Sequence, residues 1–221
     1  MLFKKFSFIF LASALIQSAF PLDAKTVDVL AVEYPPFTSS ESKANGIAFE
    51  LLEKVLGQKG IKWRATYAPP ARVASIIEKG DWCASFYPII DEFDSVRVVL
   101  SKSKVTIGLV RKKEDSVFKW EALESLAGSS VALLRTRNNS SFSQQFFDAG
   151  LEVLFVENTE IGIKYVEKGF ADYAMSDNLS FAQLNKESLE FSRTSIFTTP
   201  ITLFVNPECD WGNLLNEIST G

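Results

Sequence analysis

Histidine does not occur anywhere in the 221 residues. Its absence excludes Ser-His-Asp and Cys-His nucleophilic catalysis and any metal site that depends on imidazole. Cysteine is scarce too, with Cys83 and Cys209 the only two, too few to build a structural zinc site. In an exported chain they could close one disulfide. Because Cys83 falls in a stretch that reads as a strand, the sequence favours two small buried hydrophobes instead. No Gly-x-Gly-x-x-Gly or phosphate-loop pattern is present, so no nucleotide cofactor is expected, and no other cofactor suggests itself. Lys and Arg number 23 against 27 Asp and Glu, a net charge of −4. A mildly acidic chain argues against nucleic-acid binding, which needs basic patches.

Long apolar runs are also missing, with one exception at the start. Lys4 and Lys5 precede an uncharged apolar run from Phe6 to Ala19. Such a run is too short to span a bilayer and fits the central region of a secretory signal peptide. Cleavage is expected after Ala24 or Ala19, with Ala24 preferred because strand-like sequence begins just beyond it. The alternative is an uncleaved membrane anchor. No cysteine closely follows the run, so a lipoprotein anchor is not expected. Removing residues 1–24 takes away two lysines and one aspartate and moves the net charge from −4 to −5. About 200 residues remain, enough for a sizeable core in one or two domains.

What is present is a repeat. Ile77-Glu78-Lys79-Gly80 runs into Asp81-Trp82-Cys83-Ala84-Ser85, and Val166-Glu167-Lys168-Gly169 runs into Phe170-Ala171-Asp172-Tyr173-Ala174. Each copy follows an earlier helix-ending glycine, Gly60 or Gly150, by about twenty residues. Lys-Gly is common chemistry at helix ends, but here order, spacing and the following strand all recur. The first unit reads as strand 27–33, helix 47–57, strand 62–67, a helix opened by Pro69-Pro70 and strand 82–87. The second reads as strand 130–134, a helix opened by the capping-box-like Ser141-x-x-Gln144, strand 152–156, helix 160–168 and strand 171–175. Strands alternating with helices imply parallel sheets with right-handed crossovers. Val105–Val110 and Ile201–Val205 are extended apolar segments after each unit and read as two strands crossing between lobes.

At this point the chain resembles the periplasmic solute-binding proteins of the polar amino-acid type, family 3 of the extracellular binding proteins of ABC importers. The residues that carry the resemblance are Tyr34-Pro35-Pro36-Phe37 behind a strand, Gly46-x-x-x-Glu50-Leu51-Leu52, the Lys-Gly-Asp-like turn at 79–81 with its repeat at 168–172, and Met175-Ser176-Asp177. The resemblance covers about residues 25–215. It implies an α/β, two-lobed, type II periplasmic-binding-protein-like fold, with two Rossmann-like lobes joined by a two-stranded hinge. The expected division is residues 1–24 as signal peptide, 25–108 plus 206–221 as the first lobe and 109–200 as the second. The hinge strands are expected near 105–112 and 200–206. Two departures from the family pattern stand out. The loop in which family members carry a carboxylate-clamping arginine reads Asp91-Glu92-Phe93-Asp94, with Arg97 the nearest arginine. The family also usually continues beyond a point equivalent to Ser219-Thr220-Gly221, so the expectation is either a less fully covered first lobe or an incomplete chain.

Ligands of α/β sheets sit at the carboxyl ends of strands, which selects the candidate residues. Glu33, Tyr34 and Phe37 follow the first strand, with the aromatic rings able to cover an apolar chain or a cation or simply to pack in a Pro-Pro turn. Tyr67 and Arg72 follow the second strand; Arg72 opens a helix, where its charge opposes the dipole and invites an anionic partner. Tyr87 follows the third. In the second unit Arg135, Thr136, Asn139 and Ser140 lie between a strand and a helix N-terminus, a geometry suited to a carboxylate or to an ordinary capped loop. Asp177 could cap the next helix, and by the resemblance it would accept a hydrogen bond from a ligand ammonium.

The expected function is therefore non-enzymatic: a periplasmic monomer that closes on a small polar solute, amino-acid-like and zwitterionic or anionic, and delivers it to an inner-membrane ABC permease. Two alternatives stay open. One is an enzyme on the same scaffold, such as a dehydratase acting on a cyclohexadienyl acid, for which Glu33 is the one carboxylate to nominate as general acid. The other is a degenerate binding domain that signals through a protein partner.

Overall fold

The computed structural model describes residues 26–88, 94–135 and 140–209. The leader segment, Thr136, Asn139 and most of the Asp91–Asp94 loop lie outside the described residues.

The first unit is built from β1 (Thr26–Ala31), α1 (Ile47–Gly57), β2 (Lys62–Tyr67), α2 (Pro70–Glu78) and β3 (Ala84–Ser85). β1 pairs with both β2 and β3 in parallel. Side chains alternate across a strand, and β1 uses both faces. Val27, Val29 and Ala31 pack with Phe49, Leu52 and Leu56 of α1, while Leu30 packs with Val73 and Ile77 of α2 on the other side.

After β4 (Val96–Lys112), the second unit repeats the plan with β5 (Ser130–Leu134), α3 (Ser141–Asp148), β6 (Glu152–Val156), α4 (Thr159–Lys168) and β7 (Tyr173–Asp177). β5 pairs in parallel with β6 and β7. Val131 and Leu133 pack with Phe146 of α3, and Ala132 packs with Ile163 and Val166 of α4. The repeat read in the sequence is thus a repeat of topology, with the central strand first, its outer neighbour second and its inner neighbour third in both units. The two Lys-Gly turns match as well: Gly80 has φ +78° and Gly169 φ +75°, a conformation that glycine adopts without strain.

Between the units run β4 and β9 (Phe197–Val205), antiparallel to each other. Val96–Val99 face Val205–Thr202, Lys104–Ile107 face Pro200–Phe197, and the register shifts in between. The crossing pair is longer than the sequence suggests, because β4 spans 17 residues and begins at Val96. Its first part joins β3 through β9, and its second part pairs with β7 and with β8 (Leu189–Phe191). The result is one sheet in the order β2-β1-β3-β9-β4-β7-β5-β6, with β8 also on β4. α5 (Asn178–Leu184) follows β7 directly.

The cysteines are a correction. Cys83 and Cys209 form a disulfide, with Cα atoms 5.3 Å apart, within the usual span. The cause is the β3–β9 pairing. Ala84 faces Val205, the Asn206 N–H donates to the Cys83 carbonyl at 2.9 Å, and the turn after β9 brings Cys209 back to Cys83. Smaller differences have local reasons. The third strand shortens to Ala84–Ser85 because the parallel pairing with β1 covers only two residues. The α3 cap is Ser140 rather than Ser141, since Ser140 has extended backbone and its hydroxyl accepts the Ser143 N–H. The strand expected at 171–175 begins later, at Tyr173, and ends at Asp177.

Candidate functional site: the junction between the units

The register sets out a row of three residues where the units meet. Ile107 on β4 faces Phe197 on β9 on one side and Asp177 on β7 on the other. Directly opposed residues of antiparallel strands point to the same face of the sheet. One face therefore carries an aromatic ring, an aliphatic chain and a carboxylate side by side.

Over the Ile107–Asp177 end of this row sits the loop after β1. Tyr34 and Thr38 form a bridge that turns Tyr34-Pro-Pro-Phe back on itself, with the Tyr34 N–H donating to the Thr38 carbonyl at 2.8 Å and the Thr38 hydroxyl to the Val32 carbonyl at 2.7 Å. Pro35-Pro36 is cis. Tyr34 and Phe37 stack at 5.8 Å, and Phe37 is buried against Val105 and Ile107, with Met175 and Ile196 of the second unit packed on the same cluster.

Asp177 is completely buried. Its Oδ1 accepts the backbone N–H groups of Leu179 at 2.9 Å and Ser180 at 2.8 Å, capping α5. Its Oδ2 makes no hydrogen bond of good geometry among the described residues, and the Tyr34 phenol is the hydrogen-bonding group beside the carboxylate. Burial, then the charge of the neighbouring Asp177 carboxylate and a hydrogen bond to it, push the Tyr34 phenol well above its ordinary pKa.

The remaining candidates fall around this centre. Glu33 is exposed, and its carboxylate accepts the Ser40 N–H at 3.1 Å. Tyr67 donates its hydroxyl to the Asn45 carbonyl at 3.1 Å; burial and then the charge of Glu33 push its pKa up to about 12. Tyr87 packs with Leu30, Val73 and Ile77, and burial pushes it up to about 12. Arg72 is exposed at the start of α2. Arg135 is exposed, and its Nε donates to Glu157 Oε1 at 2.7 Å. Ser140 is buried as the α3 cap. The structure thus brings Tyr34, Phe37 and Asp177 together, puts Glu33 near Tyr67, and leaves Tyr87 packed on α2.

Three residues here were not singled out from the sequence. Ser180 donates to the Pro35 carbonyl at 2.9 Å, and Phe142 meets Phe197 edge to face at 5.9 Å. The only signal for Ser180 was its place three residues after a capping aspartate; the two phenylalanines gave none. A shallow cavity of about 500 Å³, lined by Lys112, Lys113, Glu167, Ser188 and Leu189, lies at the far end of β4 and takes no part in the junction.

No protein-family model matches the sequence, and no curated protein matches it. Solved structures do. An ancestral arginine-binding protein bound to arginine superposes with a TM-score of 0.69 at 18% identity, covering 88% of this chain and 91% of that one. The GluR0 ligand-binding core from Nostoc punctiforme, in complex with L-glutamate, gives 0.67 at 18% identity over 88% and 91%. A truncated, arginine-bound ArgBP from T. maritima gives 0.65 at 17% identity over 87% and 93%. The chain has the two-lobed fold of the type II periplasmic binding proteins. The row Phe197–Ile107–Asp177 lies on the strands that the two units share.

Proposed function

We propose that the protein is an exported receptor that closes its two lobes on a small polar solute of the amino-acid type. Such a receptor would present the solute to an inner-membrane ABC permease and leave it chemically unchanged. The observation that carries this reading is Asp177, a fully buried carboxylate where the two units meet, with the Tyr34 phenol beside it and no cation against it among the described residues. A buried charge is costly unless it is paired, and a ligand ammonium would supply the opposite charge that the phenol does not. Arg72, exposed where its charge opposes the α2 dipole, is suited to the ligand's anionic end. The fold-sharing neighbours hold arginine or L-glutamate, and the apolar leader at residues 6–19 supports export.

The test is a thermal-shift and calorimetry screen of the purified protein against L-arginine, L-glutamine and L-glutamate. A ligand at one hundred times its Kd adds about 2.7 kcal/mol, a rise of roughly 5–10 °C for a chain of this size. The expected result is a shift with at least one amino acid, lost in Asp177→Asn, with the ligand recovered intact. No shift from any amino acid would overturn the reading, and consumption of the ligand would replace it with an enzyme.

A further inference from the structure

The loop after β1 belongs to the first unit by sequence, yet Tyr34, Pro35 and Phe37 are all held by the second. The Pro35 carbonyl accepts the Ser180 hydroxyl at 2.9 Å. Phe37, only 8% exposed, packs on Ile107 in one cluster with Met175 and Ile196. The Tyr34 phenol hydrogen-bonds to the Asp177 carboxylate at the end of β7. On its own side the loop is anchored firmly. The first N–H groups of α1 donate to it, Ile47 to the Pro36 carbonyl at 3.0 Å and Ala48 to the Phe37 carbonyl at 2.9 Å. Gly46, at φ +95°, allows that approach, since a Cβ there would collide with the Phe37 carbonyl. The Phe37 N–H donates back to the Tyr34 carbonyl at 2.9 Å. A stiff arm of the first unit thus reaches onto the second, and its ring and phenol fill the place beside Ile107 and Asp177.

We propose that Tyr34-Pro-Pro-Phe37 is a built-in latch: it holds the two units together through Tyr34 on Asp177 and Phe37 on Ile107, and an amino-acid solute binds by displacing the Tyr34 phenol from that carboxylate. The inference rests on the binding role given to Asp177 above. The exchange favours a solute that brings charge. An ammonium gives the buried carboxylate a counter-charge that the phenol lacks, whereas a neutral solute offers no more than the hydrogen bond it removes. Displacement also sets the affinity. A site that must first be vacated binds with its intrinsic strength reduced by the fraction of molecules in which it is open, so weakening the latch strengthens binding.

Isothermal titration of wild type and Tyr34→Phe with L-arginine, L-glutamine and L-glutamate tests the competition. Small-angle scattering of wild type and Tyr34→Phe/Ser180→Ala, before any amino acid is added, tests the latch itself. Phenylalanine keeps the ring that stacks on Phe37 at 5.8 Å and lacks only the hydroxyl, so the single variant should fold. Whichever amino acid wild type binds, Tyr34→Phe should bind about tenfold more tightly, the factor expected for one lost hydrogen bond to a charged group. The double variant, without either polar tie from the loop to the second unit, should have a larger radius of gyration than wild type. Equal or weaker binding by Tyr34→Phe, or a double variant whose scattering superimposes on that of wild type, would overturn the latch and leave the receptor reading standing. Binding of no amino acid by either protein would overturn the receptor reading and the competition with it.

Discussion

The Ser180 hydroxyl donates to the Pro35 carbonyl at 2.9 Å, across 145 residues of sequence. It joins the first turn of α5 to the Tyr34-Pro-Pro-Phe loop and so ties the second unit to the first. Ser180→Ala removes one such bond, worth about 1 kcal/mol net. The expected outcome is a small fall in the urea midpoint and a larger radius of gyration by X-ray scattering in the absence of added amino acid. Scattering curves that superimpose on wild type would show that this bond does not hold the lobes together.

Asp177 has two roles that substitution can separate. Asn keeps an oxygen to accept the Leu179 and Ser180 N–H groups, so Asp177→Asn should be at least as stable as wild type. Asp177→Ala loses the α5 cap, at a cost of about 1–2 kcal/mol. Both remove the negative charge and should abolish binding of an ammonium-bearing ligand. Melting temperatures in the order Asn, then wild type, then Ala, with ligand binding seen in wild type alone, would confirm the division. Retained binding in Asp177→Asn would show that the charge is not what holds the ligand.

The Cys83–Cys209 disulfide closes a loop with a sequence separation of 126. The chain-entropy treatment assigns about 5 kcal/mol to a cross-link over a loop of that size. The Cys83→Ser/Cys209→Ser double variant should therefore unfold at a clearly lower urea concentration, and wild type with reductant should match it. Equal midpoints for oxidised and reduced protein would mean that the ladder between β3 and β9 already anchors the returning chain.

Tyr87 makes stability depend on alkaline pH. Burial raises its folded-state pKa to about 12, above the value near 10 of an exposed phenol. Its contribution is fully present below about pH 10 and is lost as pH rises towards about 12, because the unfolded chain ionises first. Tyr67, also raised to about 12, acts in the same direction. Tyr87→Phe has no phenol to ionise, so its urea midpoint should fall less than that of wild type between pH 9 and pH 11. Parallel curves for the two proteins would contradict the burial of the hydroxyl.

Legibility followed distance along the chain. The two α/β units could be read because each helix packs on a strand a few dozen residues away: the spacing of Leu52 and Leu56 on α1, or of Ile163 and Val166 on α4, is a local signal. Asp177 could be read for the same reason, as a capping residue at a strand-to-helix step. The disulfide could not be, since it depends on β3 meeting β9 more than 110 residues later. Nor could the contact of Tyr34 with Asp177, or the place of Phe197 beside Ile107, because both follow from a register across three strands. Phe37 illustrates the limit: an aromatic ring after a strand reads equally as ligand cover or as core, and here it is buried at 8% exposure.

The β3–β9 pairing also bears on the order in which the protein takes shape as it is made. β5, β6, β7 and β8 and the second half of β4 are all synthesised by Phe191, so most of the second lobe can pair within one contiguous stretch. The first lobe emerges earlier, but β9 is the strand that links β3 to β4 in its sheet. Until Val205 leaves the ribosome, β3 has an unpaired edge, the kind of surface that invites aggregation. The lobe whose synthesis begins first is thus the last to be completed.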